Sequence, residues 1–293
     1  IINIRILVKR ILQSCICIQG LFCFYMEENN MENTIELSEI INQKVYNLLD
    51  TDFVQKCKID LDQNGVLTLS NFLNANTLKE LVVEAEDAAS QAYFTNSTHN
   101  VYLTKIDNRF GLDHVINKQL VSSKGCICTD QIKLTSKLKT LYSSSTFKSF
   151  IAAVVGETSL FPYDDPLSSI NVHYAGEGQE LNWHFDNSEF AITLLLQSPI
   201  GGGEFQYLKD FRNADKNEMN FEGVDKLLAG SIAPRILTMK PGTLVLFRGR
   251  NSIHRVTPTI GDTKRILVVL AYNSEPGIAL SESARKTFYG RLS

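Results

Sequence analysis

Residues 182–187 read NWHFDN, and residues 253–272 read IHRVTPTIGDTKRILVVLAY. In the first stretch His184 and Asp186 alternate with Trp183 and Phe185. Side chains two apart on a strand share a face, so an imidazole and a carboxylate project together while Trp183 and Phe185 give the strand an apolar back. In the second stretch two strand-like runs flank Gly261-Asp262, a pattern that predicts a β-hairpin. With Gly261 and Asp262 as a two-residue turn, Ile260 faces Thr263 and Arg265 falls opposite Pro258. Arg265 then shares the face of His254. It lies four residues along, which at about 3.3 Å per residue is roughly 13 Å. A register slipped by one would turn Arg265 outward.

Outward from these stretches, short apolar runs recur at 170–174, 181–186, 190–196, 204–207, 244–247, 253–257 and 266–272. Gly176, Gly178, Gly201, Gly202, Gly203, Pro241-Gly242 and Gly261-Asp262 supply turns between them. Strands of this number and spacing predict a sandwich or barrel. An acidic, helical insertion at 210–228 interrupts the series. The N-terminal half reads as helical. Apolar residues recur at helical spacing over 34–57 behind a Ser38 cap. A strand follows at 66–69, then a periodic helix capped by Asn76 or Thr77 with Leu78, Leu81, Val82 and Ala85 on one face. Residues 95–131 read as loop-rich, and helices follow at 134–141 and 147–155. The expected class is α+β, with N-terminal helices supporting a C-terminal β-barrel. The expected divisions are 1–25, an N-terminal helical region at 26–65, and a main domain at 66–293 with its barrel core at about 159–274.

The 293 residues carry 29 basic against 32 acidic side chains, a formal net charge of −3. That balance argues against a nucleic-acid groove or a basic membrane-binding face. Residues 1–25 combine early positive charge with an apolar run and imitate a secretory signal, but lack a small-residue cleavage site. We read them as translated upstream sequence, with a signal or membrane anchor as the alternative. Elsewhere no stretch is apolar enough to span a membrane. The six cysteines, at 15, 17, 23, 57, 126 and 128, form no CxxC pair, so neither a disulfide scaffold nor a structural zinc site is expected. Plain thiols suit a reducing, cytoplasmic setting.

Five histidines stand at 99, 114, 173, 184 and 254, so a metal site draws on a short list. His184, Asp186 and His254 together make two imidazoles and one carboxylate. On an octahedral metal such a set leaves three positions open, the arrangement of non-haem Fe(II) oxygenases. A guanidinium such as that of Arg265 suits the far carboxylate of a dicarboxylate cosubstrate, because it donates in a fixed, bidentate fork. There is no Ser-His-Asp or paired-carboxylate arrangement, and chemistry carried by a cofactor needs none.

With these residues the chain resembles the Fe(II)/2-oxoglutarate-dependent oxygenase superfamily, whose members carry HxD, a distal His and an Arg about ten residues later. His184, Asp186, His254 and Arg265 match those positions. The run NVHYAGEGQELNWHFDN, residues 171–187, resembles the prolyl-hydroxylase-type version, in which a Tyr ten residues before the first ligand helps bind 2-oxoglutarate; Tyr174 stands there. GGGEF at 201–205 resembles the superfamily's glycine-rich step, and PGTLVLFRGRNSIHRV at 241–256 its approach to the distal His. The resemblance covers about 66–293. It implies a double-stranded β-helix (jelly-roll or cupin-like) barrel, Fe(II) and 2-oxoglutarate as cofactors, O₂ as cosubstrate and stimulation by ascorbate. The closing run AYNSEPGIALSESARKTFYGR, residues 271–291, looks most like the branch of free-amino-acid halogenases and related hydroxylases. Halogenating members replace the carboxylate ligand by Gly or Ala. Asp186 is retained here, which implies hydroxylation of a small polar substrate, a free amino acid. A protein or peptide side-chain hydroxylase, a metal-dependent hydrolase or isomerase, and a non-catalytic binding barrel are the alternatives.

The remaining candidates read as structural. His173 points opposite to Tyr174 by strand parity, His99 and His114 read as exposed, and Arg109 is a lesser candidate for clamping a carboxylate. Without a counter-ion role at the site, Arg265 would pair with Asp262 or Glu275.

Overall fold

The computed structural model describes residues 36–293, so residues 1–25 and the reading attached to them lie outside the described residues. Among the described residues the strands are Val66–Leu69 (β1), Tyr93–His99 (β2), Leu120–Ile127 (β3), Ile170–Ala175 (β4), Leu181–His184 (β5), Ala191–Gln197 (β6), Gly201–Gly202 (β7), Phe205–Leu208 (β8), Arg235–Leu237 (β9), Leu244–Phe247 (β10), Ile253–Val256 (β11), Thr259–Ile260 (β12) and Arg265–Leu270 (β13). They build a large sheet in the order β1-β10-β6-β13-β4-β3-β2, a small sheet in the order β5-β11-β8-β9, and the pair β12-β7. Every pairing is antiparallel.

The two faces of the large sheet differ. One is covered by the helices Ala75–Ala88 and Lys137–Ser143, which meet Val172 and Tyr174 of β4 and Ile127 of β3 around a small cavity. The other turns toward the small sheet, which it meets where Ser123 N–H donates to Glu180 O (2.9 Å) and Asn182 N–H to Ser122 Oγ (2.9 Å). The outer side of the small sheet carries Trp183, Phe185 and Ile253. These are buried against Tyr102, Val115 and the helix Phe221–Leu228 of the insertion. His184 and His254 therefore point inward.

The hairpin expected between His254 and Arg265 does not form. Residues 201–208 instead lie along 253–260 in one continuous register, from Ile253 opposite Leu208 to Ile260 opposite Gly201. Glycine makes this possible: Gly202 and Gly203 take positive φ (62° and 61°), and a Cβ on Gly202 would stand 1.9 Å from Pro258 O. After β12 the chain leaves for the large sheet, where Arg265 pairs with Ala175 rather than with Pro258.

Three further expectations change. Of the stretch 34–57, read as helical behind a Ser38 cap, the described residues form two separate helices, Leu37–Ile40 and the start of Thr51–Asn64. The second is capped by Asp50, whose carboxylate accepts from Asp52 and Phe53 N–H, and Ser38 falls inside the first. The stretch 95–131, read as loop-rich, contributes most of β2 and β3. The helix Ala75–Ala88 starts from Asn74 rather than Asn76 or Thr77, and Asn74 also donates to Glu39 O. Among the described residues no helix is long and apolar enough to cross a membrane.

Asn74 thus holds both the helix start and the preceding segment, and Asn74→Ala is expected to destabilise the protein by about 1–2 kcal/mol. Urea denaturation checks this, and an unchanged midpoint would count against that role.

Candidate metal centre

The site begins with a register. β11 pairs with β5 so that His254 stands directly opposite His184, with ring centroids 4.2 Å apart. Asp186 lies just past the end of β5, where its N–H donates to Gly249 O (3.1 Å). Its Oδ1 is 3.6 Å from Nε2 of His184 and 3.6 Å from Nε2 of His254. On the other side of each ring, Nδ1 of His184 lies 2.8 Å from Asn182 O, and Nδ1 of His254 lies 3.1 Å from Ser252 O. A carbonyl only accepts, so Nδ1 carries the proton and each Nε2 presents a lone pair toward Asp186. One donor atom from each of the three residues lies within 4.8 Å of the others, a grouping that could hold a metal ion.

The protonation states suit that use. Burial, then the neighbouring imidazole, pushes His254 down to about 4. For Asp186 burial opposes ionisation, but His254, His184 and Arg212 outweigh it and hold the carboxyl below its ordinary value. Near neutral pH His254 is a neutral base and Asp186 an anion, so neither has a proton to expel before binding a cation.

Two features around the triad carried no signal in sequence. Gly249 passes so close to Asp186 that a Cβ there would lie 1.8 Å from Oδ2. Arg212, from the insertion, lies 4.2 Å over the Phe185 ring and donates to Asp186 O (3.3 Å) and Arg250 O (2.8 Å). The insertion therefore buttresses the loop that carries the carboxylate. Phe205 and Phe247 pack around His254, with centroids 5.5 and 4.8 Å away.

Cross-strand partners share a face, so the strand pairs decide which residues look toward the triad. Tyr174 looks away. Its hydroxyl donates to Ala85 O (2.7 Å) of the helix Ala75–Ala88, and this corrects the expectation that it lines the cosubstrate site. Ile266 is its partner, so Arg265, one residue earlier, lies on the opposite, site-facing side. Arg265 is 6% exposed, and burial alone pulls it down to about 10, still well charged at neutral pH. No carboxylate pairs with it among the described residues, Asp262 and Glu275 included.

His173, read as structural, is site-facing and lies 3.2 Å from Lys124 Nζ. His99 is half-buried rather than exposed. Its ring stands edge-on to His184 at 5.9 Å, and its Nε2 is 2.7 Å from Ser122 Oγ. His114 stacks on Phe110 (4.2 Å) and stays apart from the triad, while Arg109 forms a solvent-exposed pair with Asp107 (2.6 Å). Cys126 and Cys128 are free thiols.

Two outcomes follow from this geometry. Gly249→Ala, which displaces Asp186, is expected to weaken Mn(II) binding about 10- to 100-fold in equilibrium dialysis while the protein remains folded; undiminished binding would contradict the close approach. His254 is depressed in the folded protein, so the unfolded chain binds the extra proton between its ordinary value near 6.5 and about 4. Stability of the metal-free protein should therefore fall as pH is lowered through that window, and urea titrations in chelator should show less of this fall in His254→Leu.

Residues 49–288 match the family model described as Halogenase D. No curated protein matches the sequence. Among solved structures the chain is similar to the non-heme alpha-ketoglutarate-dependent carbocyclase SnoK from nogalamycin biosynthesis, at 10% identity and a TM-score of 0.51 over 79% of this chain and 90% of that one. It is also similar to the epimerase SnoN from the same biosynthesis, at 10% identity and a TM-score of 0.52 over 76% of this chain and 81% of that one. A SnoN structure in complex with Fe3+, alpha-ketoglutarate and nogalamycin RO matches at 11% identity and a TM-score of 0.50 over 76% and 84%. At these identities the likeness is one of fold, that of the 2-oxoglutarate Fe(II) oxygenases. The chain itself, matched from residue 49 to residue 288, belongs to the Halogenase D family.

Proposed function

We propose that this protein is a non-haem Fe(II)/2-oxoglutarate-dependent dioxygenase that hydroxylates an unactivated C–H bond of a free amino acid. The observation that carries the reading is Arg265. A guanidinium buried without a counter-ion is costly, and on the face that looks toward a two-His, one-carboxylate cluster it asks for an anion supplied from outside the chain. Alpha-ketoglutarate, the molecule bound with iron in the SnoN complex, is an anion of that kind. We take the two sheets as the walls of a double-stranded β-helix barrel within an oxygenase domain at 66–293.

The donor chemistry fits Fe(II). Nε2 of His184, Nε2 of His254 and a carboxylate oxygen of Asp186 would hold the ion and leave three positions open. Bound there, iron with O₂ supplies the oxidation: R–H, O₂ and 2-oxoglutarate become R–OH, succinate and CO₂. Arg265 binds the far carboxylate of 2-oxoglutarate and sets its direction. Asn182 O and Ser252 O hold the Nδ1 protons and keep both Nε2 atoms available. Phe205 and Phe247 shield His254 from water.

Membership of a family named for halogenation makes chlorination the second reading. Asp186 favours hydroxylation, since its Oδ1, 3.6 Å from both Nε2 atoms, fills the place that a halide ligand would need.

Iron-loaded protein incubated in air with 2-oxoglutarate, chloride and a panel of free amino acids tests both readings. Substrate-stimulated succinate and a product that has gained one oxygen atom are expected; a product with chlorine in place of hydrogen would overturn the hydroxylase assignment. Arg265→Leu should raise the KM for 2-oxoglutarate at least tenfold, the scale of a lost charge-assisted hydrogen bond of about 1.5–3 kcal/mol. An unchanged KM would remove Arg265 from the cosubstrate site.

A further inference from the structure

The site-facing side of the large sheet carries a second cation, Lys124, which is partly buried. β3 pairs with β4 through Gly125 opposite Tyr174 and Cys126 opposite His173, and the same register sets Lys124 beside Ala175. Arg265 is the partner of Ala175 on its other side. Lys124 and Arg265 thus stand in one row across the sheet, two strand spacings or about 10 Å apart, with only the methyl of Ala175 between them.

Lys124 is held in place without a carboxylate partner. Its Nζ lies 3.2 Å from Nε2 and 3.4 Å from Nδ1 of His173, and 5.5 Å from the ring centre of Phe288 on the C-terminal helix Glu282–Tyr289. Burial and the neighbouring ammonium lower the basicity of His173, so its ring accepts from Lys124 and adds no negative charge. Cys126, the next group on that face, lies 3.6 Å from Ile127 O, and Cys128, His173 and Lys124 hold its thiol well below its ordinary value against burial. No carboxylate pairs with Lys124 among the described residues.

The ammonium also lies close to the reaction centre. Burial disfavours the ammonium, while the charge of Cys126 and then that of Asp186 favour it. Ser122, two residues before Lys124 on the same face, contacts His99, whose ring meets His184 edge-on. A carboxylate held by Lys124 would leave its carbon chain along this wall, beside the triad.

We propose that Lys124, oriented by His173, is the anchor for the carboxylate of the primary substrate. The inference rests on the oxygenase reading. There one end of 2-oxoglutarate goes to the metal and the other to Arg265, so the second cation on this wall, which has no carboxylate partner among the described residues, serves a second anion. The substrate class is then a free carboxylic acid, and a residue inside a peptide, whose backbone carboxyl is an amide, is disfavoured.

The test uses the full chain with redox-silent Mn(II) in place of iron and saturating 2-oxoglutarate. Calorimetric titrations compare the twenty protein amino acids with their carboxamides. For the amino acid that binds best, the acid should bind at least tenfold more tightly than its amide to the wild type. Lys124→Met should erase that preference, Lys124→Arg should keep part of it, and the affinity for 2-oxoglutarate should stay within about twofold in both. A wild type that shows no preference for acid over amide overturns the proposal, including the case in which no amino acid binds. Weakened 2-oxoglutarate binding in Lys124→Met with the acid preference intact also overturns it, and makes Lys124 a cosubstrate residue. Should Lys124→Met fail to fold, the wild-type comparison and Lys124→Arg still decide. Failure of the wild type to bind 2-oxoglutarate at all is a separate result and removes the oxygenase reading itself.

Discussion

The antiparallel register of β11 against β5 is the constraint on which the site depends. It sets His254 opposite His184, with Asp186 within reach of both. A slip of one residue would carry His254 to the outer face among Trp183 and Phe185 and put Ile253 or Arg255 in its place. Three things prevent that slip. The apolar outer side of the small sheet is buried under Tyr102, Val115 and the insertion helix. The long pairing of 201–208 with 253–260 holds β11 from its other edge. Gly249 admits the Asp186 carboxylate at a distance that no other residue would allow.

The electrostatic design follows from that packing. The inner surface gathers two cations, Lys124 and Arg265, together with the three candidate ligands. Burial makes His254 hard to protonate and draws protons away from Lys124 and Arg265, yet the positive surroundings keep Asp186 ionised. A polar interior without internal neutralisation is a poor arrangement for stability alone. A metal and anionic ligands offset that cost, because ligands that bind the folded state stabilise it.

How much of this was legible in the sequence varied with local pattern. β4, β5, β6, β10, β11 and β13 were readable because apolar residues alternate or run together there, and the triad was readable from the two-residue period through His184 and Asp186. Arg265 was found by way of a hairpin that does not exist. It reaches the site-facing side through its pairing with Ala175, which no local pattern reports. The choice between His173 and Tyr174 illustrates the same limit. Parity separates the two faces of β4, but only the packing of helix Ala75–Ala88 on one of them shows which face meets the metal centre. β2 and β3 escaped because polar residues, Thr95, Ser97, His99, Ser122 and Lys124, interrupt their site-facing side, so neither strand shows a continuous apolar stripe there. That polarity is what makes the surface useful for binding ligands.

A crystal structure of the protein grown anaerobically with Fe(II) and 2-oxoglutarate would be the most direct measurement. Anomalous scattering should place one iron on Nε2 of His184, Nε2 of His254 and a carboxylate oxygen of Asp186, and the far carboxylate of 2-oxoglutarate should lie against the Arg265 guanidinium. Iron bound elsewhere, or a cosubstrate turned away from Arg265, would contradict the assignment of this site.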